Sequence, residues 1–220
     1  IECEIDEPLH TTVAVLQSVV LHSTATGERR IRVITTAVPT TTNLSEVYAS
    51  ADQLAIAAFM ANKAVEKSLH ARLDDARAMI RTRIADIFTA YRTTMTNTRG
   101  GNAAHLTIAS NLSLLPLLAL GLLRNRSIRI GAQIPSDVRA YHQTLLTTLP
   151  VQRLIPFLLP VFYSLHNMPP DAGTIDMSTQ CLIMPPRLNL SSERFERHGL
   201  YLIEDGMSVF LWLGRAAVSY

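Results

Sequence analysis

Seven histidines are the first places to look for acid–base or metal chemistry: His10, His22, His70, His105, His142, His166 and His198. A helical metal site sets two histidines four residues apart, so that both project from one face. No two histidines here have that spacing, and no H-E-x-x-H occurs. They read as surface or hydrogen-bonded imidazoles, and no metal site is expected. Cys3 and Cys181 are far apart and form no C-x-x-C pair, which argues against a disulfide scaffold or zinc ribbon and for two reduced thiols in a cytosolic protein. Asp74 and Asp75 adjoin, so on a helix they point about 100° apart. They suit a helix first turn better than paired carboxylate catalysis. Glu204-Asp205 fits a turn, with calcium binding as the less favoured reading. G-x-S-x-G and G-x-x-x-x-G-K-[ST] are both absent, so the sequence offers no catalytic residues and reads as non-enzymatic.

Charge is small in sum, +2, but uneven. Nine arginines lie between Arg72 and Arg129, against Asp74, Asp75 and Asp86. Two readings stay open: solvated helix faces, or a salt-sensitive surface facing phosphates or an acidic partner. A hydrophobic content of 48% supplies a substantial core. The longest apolar run, residues 112–123, is short of the roughly 18 residues that cross a bilayer and reads as a buried core helix.

The elements that must position these residues follow from periodicity. Residues 13–22 and 29–34 are β-branched runs around the turn Ala25-Thr26-Gly27-Glu28, predicting a hairpin with one wet, basic face. Ile31 and Val33 fall on one side, and Arg30 and Arg32 on the other. From Thr42 the period becomes helical. Asn43-Leu44-Ser45-Glu46 resembles a capping box, residues 52–69 and 73–95 read as amphipathic helices, and residues 93–105, with Arg99-Gly100-Gly101-Asn102, read as a loop. A helix near Ser113 would carry Pro116 in its first turn, another is capped by Ser136-Asp137, and a short one runs from Pro150 to Pro160. Residues 43–166 are therefore expected to be all-helical, with residues 167–181 an exposed loop. The fold class is mainly α: a bundle of about five helices flanked by β segments.

The C-terminal stretch, residues 198–214, is two apolar strands around Asp205-Gly206. It resembles the opening hairpin of a gelsolin-like domain. Further landmarks occur in order. They are Gly27-Glu28-Arg29-Arg30-Ile31-Arg32-Val33, residues 42–52, and Asn111-Leu112-Ser113-Leu114-Leu115-Pro116 through Leu122-Leu123-Arg124. Then come Asp137-Val138-Arg139-Ala140-Tyr141, residues 159–166 and residues 190–203. Taken together they resemble the Sec-twenty-four family, the cargo-adaptor subunits of the COPII vesicle coat. Leu118 stands where that pattern has Tyr, and Val138 where it has an acid.

The resemblance implies a piece of a longer protein: the end of a β-sandwich over 1–40, a helical domain over 41–167, and a linker with the start of a gelsolin-like domain over 168–220. It implies cargo selection for transport from endoplasmic reticulum to Golgi, by a cytoplasmic protein peripheral on the endoplasmic reticulum membrane and COPII vesicles. Implied partners are the paired inner-coat subunit, cargo and SNARE sorting signals, and an anionic membrane surface, with no nucleic acid. No cofactor is expected in these residues, the family's zinc finger lying in a part not present here. Arg29, Arg30 and Arg32 are the candidate membrane-facing residues. The alternative is a gelsolin-type actin- or calcium-binding regulator.

Overall fold

The computed structural model describes Asp6, Leu9 and residues 11–99, 108–131 and 133–217, without the side chains of 95–99. His10, His105, Cys3 and most of the Arg99-Gly100-Gly101-Asn102 loop lie outside the described residues. Two compact units form: residues 1–51 with 94–101, and residues 52–93 with 102–220.

In the first unit, β1 (Val13–Ser23) and β2 (Arg29–Pro39) pair antiparallel, from Val13 opposite Pro39 to Ser23 opposite Arg29. Gly27, at φ 85°, supplies the left-handed turn residue. Helix α1 (Leu44–Ala49) starts at Asn43, whose side chain accepts from the Ser45 N–H at 3.0 Å. The box departs from its usual form. The Asn43 N–H is taken by the Thr41 hydroxyl, and Glu46 instead accepts from that hydroxyl at 2.6 Å and from the Asn43 amide.

The second unit holds the core. Helix α2 (Gln53–His70) is capped by Asp52, which accepts from the Leu54 and Ala55 N–H groups. Helix α3 (Leu73–Arg99) follows, then α4 (Leu115–Arg124), α5 (Ser136–Thr148) and α6 (Val151–Leu158). The described residues thus carry six α-helices. Ser136 is the first helical residue of α5 and no side chain caps it. Ala61 and Ala64 of α2 are fully buried, and their small side chains let Ile80, Leu122, Ile128, Leu146, Leu154 and Leu158 close over them. Each such Leu or Ile contributes about 1.5–3 kcal/mol by leaving water. Helix α4 buries one face only: Leu115, Leu118 and Leu122 are inside, whereas Leu114, Leu117 and Leu120 are exposed. Gly121 meets α6 so closely that a Cβ there would lie 2.3 Å from the Leu158 carbonyl oxygen.

Two expectations need correction. Helix α3 continues to Arg99, through residues expected to form a loop, because that polar stretch has neither proline nor glycine before Gly100 to stop it. Within the span expected to be all-helical, Val161–Ser164 is a strand, β3. Pro160 cannot continue the helix, and the β-branched and aromatic residues after it pair with β4 (Leu200–Glu204). β4 in turn pairs with β5 (Val209–Leu213), giving the order β3-β4-β5. Gly206 turns that hairpin at φ 79°, and a Cβ on it would press within 3.0 Å of Pro156 in α6.

Candidate functional site

The arginines divide into those that hold the fold and those left to solvent. Arg77 of α3 is half-buried, and its guanidinium donates to the carbonyls of Leu123 at 2.5 Å and Ile128 at 3.4 Å. Burial presses its pKa below the ordinary arginine value, Arg81 adds to this, and Asp74 opposes it. Arg139 of α5 donates to three carbonyls of the same loop: Arg126 at 3.1 Å, Ser127 at 3.0 Å and Arg129 at 3.3 Å. Helix α4 ends with carbonyls that lack intrahelical partners, and these two side chains answer them and the turn beyond. Arg124 at the end of α4, and Arg126 and Arg129 in the loop they clamp, are all exposed and without an ion pair among the described residues. They border a cleft of about 430 Å³ with His142, Phe157 and Asp205. His142 stacks on Phe157, ring centroids 5.4 Å apart. Burial lowers its pKa, the charge of Arg126 lowers it further, and Asp205 offsets part of the shift.

The hairpin arginines lie in the other unit. Cross-strand register puts Arg30 opposite His22 and Arg32 opposite Val20, on one face, and Arg29 opposite Ser23 on the face shared with Ile31 and Val33. Arg30 donates to Glu28 at 2.6 Å, both side chains being more than half exposed. The expected wet, basic face is thus confined to the turn end. Farther along, the same face bears exposed Leu16, Val20 and Ile34.

The acidic candidates serve local structure. The Asp75 carboxylate meets Arg72 at 3.4 Å, which holds it below the usual carboxylate range. In the β4–β5 turn, Glu204 accepts from the Gly206 N–H at 2.7 Å, and Asp205 accepts from those of Met207 and Ser208 at 2.9 and 2.6 Å. One oxygen of each carboxylate is engaged by the turn. Cys181 is free and exposed.

Where spacing gave no metal-type pair, the fold assembles a cluster. His166, just past β3, meets Glu196 at 3.3 Å, and His198 meets the same carboxylate oxygen at 3.0 Å. The two histidines are 32 positions apart in sequence, so nothing in neighbour spacing could reveal this. Glu196 and His198 are brought together by a tight turn, closed by the Gly199 N–H donating to the Glu196 carbonyl at 3.0 Å. Beneath the cluster, Phe162, Phe195, Tyr201 and Trp212 pack ring on ring, with centroids 4.7–5.5 Å apart. The hydroxyl of Tyr201, 1% exposed, donates to the Arg194 carbonyl and accepts from the Glu196 N–H. Among the described residues, no helix is long and apolar enough to cross a membrane.

Two family descriptions match: "Sec23/Sec24 helical domain" over residues 52–156 and "Gelsolin repeat" over residues 182–219. The chain is 49% identical over 99% of its length to the protein transport protein SEC24 of Pyricularia oryzae and, equally, to that of Chaetomium globosum. It spans 22% and 23% of those relatives' lengths. Among solved structures, the human COPII-coat protein Sec24c matches with a TM-score of 0.77 and 27% identity, over 92% of this chain and 25% of that one. With helices α2–α6, the β4–β5 hairpin and near-complete coverage all aligning to the same proteins, the chain belongs to the SEC24 family.

Proposed function

We propose that the chain works as a non-enzymatic part of the COPII coat subunit that selects cargo for transport from the endoplasmic reticulum to the Golgi. The observation that carries this is the 49% identity over 99% of the chain to proteins named for protein transport. The interior supports a scaffold role: Arg77, Arg139 and Asp205 are engaged by loop carbonyls and turns, and the core is closely packed aliphatic residues. In this reading the helices of the second unit carry the β3-β4-β5 sheet and require no cofactor. The partners are the paired inner-coat subunit, cargo and SNARE sorting signals, and an anionic membrane surface, on the cytoplasmic side of the endoplasmic reticulum and on COPII vesicles. The exposed apolar faces of β1–β2 suit the end of a β-sandwich whose other strands cover them.

A gelsolin-type calcium regulator is not favoured. The SEC24 relatives span the gelsolin-like residues as well, and one oxygen of each of Glu204 and Asp205 serves the turn.

The test is co-flotation of the full-length protein bearing this chain with the paired subunit on liposomes rich in anionic lipid. The two should float together, and a protein that floats without the partner, or fails to bind it in solution, overturns the reading. For the membrane-facing arginines, Arg29→Ala, Arg30→Ala and Arg32→Ala combined should weaken flotation at low salt, with the difference fading as salt rises. Each basic group near such a surface contributes about 1 kcal/mol, so the loss is partial. Unchanged flotation at low salt removes these arginines from the membrane contact.

A further inference from the structure

The His166–Glu196–His198 cluster has the composition and spacing of a three-ligand cation site. Tetrahedral zinc with ligand bonds near 2.0–2.1 Å sets neighbouring ligand atoms about 3.3 Å apart. Here the Glu196 oxygen is 3.3 Å from one imidazole nitrogen and 3.0 Å from the other, and all three ligand atoms lie within 4.8 Å of one another. The His166 side chain is 22% exposed, those of Glu196 and His198 55% and 68%. His198 is the most exposed of the three, so its ring faces solvent.

The backbone beneath is fixed before any ion arrives. Tyr201 ties Arg194 and Glu196, the Gly214 N–H donates to Gly199 at 2.9 Å, and the Ala216 N–H donates to Arg197 at 2.8 Å. Gly199 and Gly214 permit this closeness. A Cβ on the first would lie 2.3 Å from the Tyr201 ring, and one on the second 2.2 Å from the Arg197 carbonyl oxygen. His166 is also oriented from behind. Its Nδ1 accepts the Leu200 N–H at 3.1 Å, which leaves the proton of the neutral ring on Nε2, donated to Glu196. Coordination through Nε2 moves that proton to Nδ1, where the Leu200 carbonyl at 3.2 Å and the Ser164 hydroxyl at 3.0 Å are ready acceptors. The neutral ring keeps one proton throughout. With the proton on Nδ1 the ring gains the donating second nitrogen that metal-bound histidines have, and gives up the bond it accepts from the Leu200 N–H.

We infer that His166, Glu196 and His198 form a binding site for a divalent transition metal, with Zn2+ the ion best matched to two imidazoles and a carboxylate. The test is calorimetric titration of Zn2+ alone into the 220-residue chain, free of any zinc finger elsewhere in the parent protein. One ion per chain should bind, and His198→Asn and Glu196→Gln should each raise Kd about tenfold or more. Both side chains are exposed and outside the aromatic cluster, so both variants should keep the fold, as circular dichroism checks. His22→Asn should bind as the wild type does. In parallel, Zn2+ should move the imidazole 15N resonances of His166 and His198 before those of other histidines. Absence of saturable binding, equal affinity in both variants, or shifts centred on other histidines would overturn the site.

Discussion

The chain contains two antiparallel hairpins built on opposite economies. β1–β2 pairs eleven residues with eleven, yet nearly every side chain is exposed on both faces: Val19 is 60% and Ile31 68% exposed on one, Val20 49% and Ile34 50% on the other. β4–β5 pairs only five with five, but it is flanked by β3, seated on an aromatic cluster, and turned against α6 by Gly206. The ladder of backbone hydrogen bonds is longer in the first and the burial greater in the second. Net hydrogen-bond gains are small beside the removal of large rings from water. The short hairpin is therefore the one whose side chains matter most to stability.

That comparison can be broken most readily at Tyr201. Tyr201→Ala should destabilise by about 3–5 kcal/mol in denaturant unfolding, since it deletes a buried ring and unties Arg194 and Glu196. An effect below that of an exposed β1 substitution would reverse the ranking of the hairpins. Next comes Arg139→Met, which leaves three carbonyls after α4 without their donor and should cost about 1.5–3 kcal/mol. Gly121→Ala forces α4 from the Leu158 carbonyl and should cost about 1–3 kcal/mol, seen as a lower Tm.

A smaller effect is read by pH. Because burial lowers the pKa of His142 in the folded state, the unfolded chain takes up its proton first. Stability should then fall as pH drops below about 6.5, until folded His142 itself protonates. His142→Gln should flatten that part of the profile relative to wild type, and an unchanged slope would remove His142 as its source. The smallest effect belongs to the long hairpin: Val19→Thr should change the stability of this chain by no more than about 0.5 kcal/mol.

What was legible in the sequence follows the range of the forces. Asp205-Gly206 between alternating strands, Asn43 at a helix start and Pro116 in a first turn are local signals, and each stands where it was read. Non-local ones were silent. β3 is four residues long and becomes a strand only because β4, some forty positions later, pairs with it. Arg77 looked like one charge on a solvated face, since its partners are carbonyls after α4 that carry no sequence signature. The His166–Glu196–His198 cluster was hidden for the same reason.

A SEC24 role requires this chain to be interchangeable with the matching stretch of a SEC24 protein. The most direct measurement is a chimera in which these 220 residues replace their counterpart in the Pyricularia oryzae SEC24. The chimera should bind its paired inner-coat subunit and restore secretory export in cells lacking the native protein. A chimera that accumulates in folded form yet neither holds the partner nor releases cargo from the endoplasmic reticulum would contradict it.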